Sequence, residues 1–357
     1  MKVLIEKNIL ENILIHATPF LEKKDTSLIT SHVYFHAHDN TLDVKATDYD
    51  IGFFVSADNV EILQEGKATA NGRKLLDIVK ILKNDKKIEL ELLNDTLYIK
   101  QGNSKFKLPT FSPEQFPEFP SYESKPSLTI NSHQLIDALK KITPAIDNNN
   151  PKFELNGALI DIKEQSINFV STDTRRLAIV TLQNEQHNAE LSIIIPKKAI
   201  LEIQKLFFDD IAMYYDETHL IIVSKEYTFF TKLINGKFPE YSRIIPKEVK
   251  NKLTLPKKEF IDALKQITTV STDVKLTFLN DKIVFESLSD DNNEAKTELS
   301  FPANFEDPFI LAVNSRYILD FLNNIETPDF IMGLNDSNHP FILQESNFKT
   351  VIMPIVI

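Results

Sequence analysis

Apolar residues recur at i, i+3, i+4 and i+7 in two long stretches, each placed directly after a short run of strand character. These are "LTINSHQLIDALKKIT" from Leu128 and "LTLPKKEFIDALKQIT" from Leu253. The spacing predicts a strand followed by an amphipathic helix in each. Leu128, Thr129, Ile136, Asp137, Ala138, Leu139, Lys140, Ile142 and Thr143 recur as Leu253, Thr254, Ile261, Asp262, Ala263, Leu264, Lys265, Ile267 and Thr268, an offset of 125 residues. A weaker first copy is "VLIEKNILENILIHA" from Val3. A second block, "ANGRKLLDIVKIL" from Ala70, returns as "IIPKKAILEIQKLF" from Ile194 and "AVNSRYILDFLNNI" from Ala312. Each of these predicts a strand, a helix and then a strand–turn–strand, with Asn94-Asp95 a turn signal in the first. Between the two blocks, "NTLDVKATDYDIGFFV" and "QSINFVSTDTRRLAIV" carry Thr47-Asp48 and Thr172-Asp173, again 125 apart.

Three blocks in one order imply three copies of one α+β unit in tandem. The stretch from Pro109 to Pro126 holds five prolines and reads as an extended connector. "NGKFPEYSRIIPKEVKNK" from Asn235 plays that part at the second junction. The expected modules are residues 1–118, 119–245 and 246–357, a division that suits a chain of 357 residues.

Composition narrows the chemistry. The hydrophobic content of 42% with 25% charged residues is that of a globular protein. No apolar run approaches a membrane span. Glu6 stands where an export signal would be apolar, so the expected location is cytoplasmic. Without cysteine there are no disulfides, thiolate metal sites or cysteine nucleophiles. The seven glycines are too dispersed for a phosphate-cradling loop, and no cofactor is expected.

The net charge of −11 argues against nucleic acid until the charges are located. The six expected helices, 7–17, 72–83, 132–142, 196–207, 256–267 and 314–324, together carry seven net positive charges, leaving eighteen negative on the remainder. Lysine favours solvent-facing helix positions in any protein. In three units that share an acidic remainder, however, the pattern fits a ring with basic helices inside and acidic sheets outside. Such a bore would hold DNA by its phosphates and could slide.

With these blocks in view the chain resembles the bacterial β sliding clamp family, the processivity subunit of the replicative DNA polymerase. The resemblance spans essentially the whole chain and rests on "ELNGALID" (154–161), "STDTRRLAIVTL" (171–182), "FFTKLINGKFPEYSRIIPK" (229–247) and "VIMPIVI" (351–357). It implies a head-to-tail homodimer around duplex DNA, with the polymerase, the clamp loader and other clamp-binding proteins as partners, and no catalytic residues. The family's partner-peptide pocket falls on Leu155, Thr172, Thr174, Arg175, Arg176, Leu177, Pro239, Arg243, Ile244, Val351, Met353, Pro354 and Ile355. Aliphatic residues and proline suit an apolar groove, and arginines at its rim suit the polar parts of a peptide. Thr174-Arg175 stands where the family commonly has Gly-His, and Val356-Ile357 where it has Arg-Leu.

The resemblance places DNA contacts at Lys24, Arg73, Asn149 and Lys152, with Lys198 a further candidate. It places the dimer interface at Lys105, Phe106, Lys107 and Leu108 on one side, with Thr269, Val270, Glu294 and Glu298 on the other. Phe106 and Leu108 share one strand face, and the lysines alternate with them.

Two other functions compete. A metal-dependent hydrolase could draw on His32, His36 and His38, which share strand parity, with Asp39 nearby and Asp48–Asp50 as a D-x-D. The remaining histidines, His16, His133, His187, His219 and His339, are scattered and form no helical zinc motif. A repeat-built protein scaffold without DNA is the other; it would have no reason to concentrate cations on its helices.

Overall fold

The computed structural model describes residues 1–184, 190–288 and 293–357; His187 lies outside them. Among the described residues the helices are α1 (Lys7–Ala17), α2 (Gly72–Ile81), α3 (Ser132–Ile142), α4 (Lys197–Leu206), α5 (Lys257–Thr268) and α6 (Ser315–Leu322). Each follows a strand, as the periodicity predicts. Asparagine side chains cap three of them. Asn71, Asn131 and Asn314 accept from the backbone N–H of Lys74, Gln134 and Arg316 at 3.1, 3.2 and 3.1 Å.

Compactness follows a different partition from the sequence repeat. Residues 1–136 and 198–233 form one compact unit, and residues 137–197 and 234–357 form the other. The reason is strand pairing. In the first unit an eight-stranded antiparallel sheet runs Ser127–Ile130, Ile211–Tyr215, His219–Val223, Tyr227–Lys232, Ile51–Ala57, Thr41–Thr47, His32–His38, Gly66–Asn71. Its first four strands come from the second repeat and its last four from the first. The join is the pair Tyr227–Lys232 with Ile51–Ala57, in the register Phe230↔Gly52. Phe20 and Phe53 from the first repeat meet Phe207 and Phe229 from the second in one buried aromatic cluster, with ring centroids 5.5 to 6.4 Å apart. A five-stranded sheet, Val60–Gln64, Lys2–Glu6, Lys87–Leu93, Thr96–Gln101, Ser104–Pro109, completes this unit. Helix α1 packs on strands of both sheets.

The second unit repeats the construction. Its eight-stranded sheet runs Leu191–Pro196, Gly157–Ile162, Ser166–Thr172, Arg176–Gln183, Phe348–Ile352, Phe341–Glu345, Asp329–Leu334, Asn251–Pro256. Here the second and third repeats join through Arg176–Gln183 and Phe348–Ile352. A four-stranded sheet, Lys296–Ser300, Lys282–Ser287, Asp273–Phe278, Phe309–Asn314, packs with α5.

The proline-rich connector is irregular rather than wholly extended, with a 3-10 turn at Pro113–Gln115, and it packs on the first unit's joined sheet. Phe111 exchanges two hydrogen bonds of 2.9 Å with the Thr69 hydroxyl. Its ring lies 4.5 Å from that of His32, while Phe116 meets Tyr34 at 5.2 Å and Phe119 meets Phe230 at 4.8 Å. The Lys45 ammonium sits over the rings of Tyr34, Phe54 and Phe119, 5.4 to 5.8 Å from their centroids. Burial pushes the His32 imidazole down to about 4.

Two predictions follow from this packing. A Cβ on Gly52 would stand 2.0 Å from the Phe230 ring, so Gly52→Ala is expected to lower stability by about 1–3 kcal/mol. Phe230→Leu in the same chain should restore part of that loss in denaturant unfolding. His32 is folded in its neutral form, so the unfolded chain binds the extra proton. Stability should therefore fall by up to about 3 kcal/mol as pH drops from about 6.5 to about 4. His32→Gln should remove that increment in unfolding curves taken across the same pH range.

Candidate partner groove and nucleic-acid surface

The repeated Thr-Asp pair is a turn device. The Thr172 hydroxyl donates to the Arg176 carbonyl at 2.6 Å and accepts from the Thr174 N–H at 3.1 Å. Asp173 Oδ1 accepts from the N–H groups of Arg175 and Arg176, both at 3.0 Å. Thr47 and Asp48 make the same four bonds to Tyr49, Asp50 and Ile51. The third residue is left-handed in both turns, with φ of 73° at Thr174 and 74° at Tyr49. Glycine is the relaxed occupant of such a position, and a β-branched residue there is strained.

The two turns differ in how they use the second aspartate oxygen. Asp48 gives it to the Lys198 ammonium, whereas Asp173 gives it to Arg176 Nε at 3.0 Å. Arg176 is 6% exposed. Its Nη1 donates to Asp320 at 2.7 Å, its Nη2 donates to the Pro144 carbonyl, and its guanidinium lies over the Tyr317 ring at 4.5 Å. Both arginines are expected at a rim. Arg175 is exposed there, and Arg176 is part of the foundation. Tyr317 and Asp320 carry no signal of this role in the sequence. Their spacing of three does put them on one face of a predicted helix, yet nothing local pairs them with residue 176.

Beside this turn lies an apolar floor. Leu155, Leu177 and Val351, each 2% exposed, share one cluster with Leu159, Val170, Ile179, Ile194, Phe238 and Ile342. Leu177 and Val351 are cross-strand partners at the join of the second and third repeats. Beyond the last strand the ladder continues: the Met353 N–H donates to the Arg175 carbonyl at 2.9 Å, and the Ile355 N–H to Ala312 at 2.7 Å. These bonds seat Met353, 40% exposed, next to Arg175, with Pro354 buried and Ile355 half-buried. The segment after Asn235 contributes buried Phe238, half-buried Pro239 and Ile244, which is 41% exposed. Tyr241 is anchored by donating to Asp161 at 2.6 Å, and burial together with that bond holds its phenol proton well above the usual range. Arg243 is exposed and pairs with Glu240 at 2.7 Å. A separate cleft lined by Leu159, Asp161, Lys163, Ser192, Ile194 and residues 236–242 shares only Pro239 with the expected set.

The expected DNA contacts fall in two local settings. In the first unit Lys24 is exposed, Arg73 is half-buried and reaches the Lys23 carbonyl at 3.4 Å, and Lys198 is engaged by Asp48. In the second unit Asn149 and Lys152 project from a loop tied by its own amides. Asn150 donates to Asp147 at 3.0 Å and Asn156 donates to the Asn150 carbonyl at 2.9 Å. Lys197 closes the base of this loop through Ile146 and Asn148, both at 2.8 Å. Among the described residues, Lys74, Lys80, Lys140, Lys258 and Lys265 are helix cations that are exposed and have no acidic partner within 4 Å, whereas Lys7 and Lys141 pair with acids one turn away.

The expected dimer residues lie at sheet edges or just after a helix. Ser104–Pro109 is the outer strand of the five-stranded sheet, with Leu108 buried, Phe106 half-buried and Lys105 and Lys107 exposed. Lys296–Ser300 is the outer strand of the four-stranded sheet; its Glu298 is exposed and pairs with Lys282 at 2.9 Å. Glu294 precedes that strand, and Thr269 and Val270 follow α5; all three are exposed.

The hydrolase constellation separates. His32 is buried under Phe111, and Asp48 and Asp50 are occupied by a turn and by Lys198 and Lys232. His36 and His38 stay together.

The buried guanidinium gives the prediction here. Arg176→Ala leaves Asp173 Oδ2 and the Pro144 carbonyl without their donor and Asp320 with only the more distant Arg316, and should cost about 3–5 kcal/mol in denaturant unfolding. Arg175→Ala, at the exposed rim, should change stability by less than about 0.5 kcal/mol.

Three family models match in sequence: the DNA polymerase III beta subunit N-terminal domain over residues 1–120, its central domain over 129–240 and its C-terminal domain over 242–356. The chain is 39% identical to the beta sliding clamp of Helicobacter pylori strain J99 and 27% identical to that of Pseudomonas putida, covering 100% and 94% of each pair of chains. It resembles a crystal structure of the Helicobacter pylori beta clamp bound to a DNA ligase peptide, with a TM-score of 0.94, 39% identity and full coverage of both chains. A Pseudomonas aeruginosa clamp bound to griselimycin gives a TM-score of 0.94 at 25% identity, again over the whole of both chains. Three family modules matched in order over nearly the whole chain, together with a relative 39% identical along its full length, place this chain in the DNA polymerase III beta subunit family, the beta sliding clamps.

Proposed function

We propose that two copies of this chain join head to tail in a closed ring around duplex DNA. The family is a non-catalytic processivity subunit, so the task is mechanical: to keep a polymerase on its template. The observation that carries the ring is the strand bookkeeping of the repeats. Inside the chain, the last strand of one repeat pairs with the strand after the Thr-Asp turn of another. Tyr227–Lys232 takes Ile51–Ala57 in this way, and Phe348–Ile352 takes Arg176–Gln183. Among the described residues, two strands of these kinds lack a partner on one side: Ser104–Pro109, the last of the first repeat, and Lys296–Ser300, the corresponding strand of the third. Pairing them between copies repeats the same joint, sets Lys105 and Lys107 against Glu294 and Glu298, and removes two open edges.

In this reading the modules are residues 1–118, 119–245 and 246–357, and the exposed helix lysines hold DNA through its phosphates without reading bases. Lys24, Arg73, Asn149, Lys152 and Lys198 are the proposed contacts, with Lys198 exchanging Asp48 for phosphate. The groove over Leu155, Leu177 and Val351, rimmed by Thr174, Arg175, Ile244 and Met353, takes the docking peptides of the polymerase, the clamp loader and other partners in the cytoplasm. Arg175 favours a peptide with an acidic residue beside its apolar anchor.

The ring is tested by topology. Chains loaded by a clamp loader onto nicked circular DNA should survive a high-salt wash and be lost once the circle is linearised. Lys105→Glu with Lys107→Glu should shift the chain to monomer by at least about tenfold in sedimentation and abolish retention. Adding Glu298→Lys should restore part of both. Equal loss of the wild-type chain from circular and linear DNA would end the encirclement reading.

A further inference from the structure

The strands His32–His38 and Thr41–Thr47 form a hairpin closed by Asp39-Asn40, with φ of 44° and 62°, a two-residue turn suited to these residue types. His36 and His38 lie two apart on one strand and so project from the same face. Asp43 is the cross-strand partner of His36, which brings its carboxylate to that face as well. The outcome is a compact set of donors: one ligand atom from each of His36, His38 and Asp43 lies within 4.8 Å of the others. His38 Nε2 is 3.0 Å from Asp43 Oδ2, and the two imidazole rings are 4.3 Å apart at 30°.

We propose that His36, His38 and Asp43 form a zinc site on two adjacent inner strands of the first unit's eight-stranded sheet. Two imidazoles and one carboxylate with room for solvent match the donor set of an open zinc centre. Donors on a tetrahedral zinc stand about 3.3 Å apart, given bond lengths of about 2.0–2.2 Å. The observed spread closes to that distance by side-chain rotation, which half-exposed histidines can make. A further feature supports metal binding. Asp39 Oδ2 lies 3.3 Å from His38 Nδ1, on the side away from Asp43. A carboxylate on the far nitrogen fixes the ring and leaves Nε2 to face the metal, the usual outer partner of a metal-bound histidine. Two cations oppose the site: Lys67, the cross-strand partner of His36, and Lys45, which is drawn toward the rings of Tyr34, Phe54 and Phe119. The bound ion would tie both strands of the hairpin across their turn. This site is independent of the clamp reading.

The test uses the full-length chain without an affinity tag, stripped with chelator and titrated with zinc against a chromophoric competitor. One zinc per chain is expected, and it should raise the unfolding temperature. His36→Gln and His38→Gln should each weaken binding at least about tenfold, as should Asp39→Asn through the outer hydrogen bond. Each variant should unfold at the wild-type temperature in chelator, and His219→Gln should bind zinc as the wild type does. Millimolar magnesium, which prefers oxygen donors, should not displace the zinc. Absence of stoichiometric binding, binding that survives both histidine substitutions, or ready displacement by magnesium would each overturn the proposal.

Discussion

Pairing of strand edges is the constraint on which the molecule depends. An unpaired edge exposes a row of backbone donors and acceptors, and a small α+β repeat built on short sheets has edges to cover. This chain covers them by joining half-sheets from neighbouring repeats into eight-stranded sheets, once at Ile51–Ala57 and once at Arg176–Gln183. Compact units therefore straddle the repeat boundaries. The connector from Pro109 to Pro126 is part of the same solution, since Phe111, Phe116 and Phe119 lie over strands contributed by two repeats.

The second joint is also where the groove forms. Leu177 and Val351 are partners in that joint, so the apolar floor is a by-product of the pairing that holds the repeats together. A buried guanidinium then fixes the adjoining turn to α6 and to the Pro144 carbonyl, leaving the exposed rim to be set by Thr174, Arg175 and Met353. Floor and rim are thus under different physical control. In the proposed reading, changes at the rim alter which peptide fits, whereas changes beneath it cost folding energy.

Charge is divided in a comparable way. Several helix cations are consumed locally: Lys7 by Glu11, Lys141 by Asp137, Lys197 by a loop carbonyl and an amide, Lys198 by Asp48. The unengaged ones, such as Lys74, Lys80 and Lys140, remain available to an external polyanion. In the proposed ring a chain of net charge −11 holds DNA through locally gathered cations, and the helices carry several of the unengaged ones.

The sequence by itself determined the repeat, its α+β character, the six helices and the Thr-Asp turns, because each depends on local periodicity or on hydrogen bonds spanning fewer than five residues. The family landmarks are contiguous strings, so the sequence also named candidate groove residues, although Arg176 among them is buried beneath the turn. Tertiary structure decided the rest. The spacing of Arg176 from Asp320, 144 residues away, leaves no trace in either local pattern. His32 and His38 share strand parity, yet one is buried beneath a linker phenylalanine and the other meets two carboxylates at a hairpin end. Periodicity reports which face a side chain takes, and only the packing of distant segments settles what that face meets.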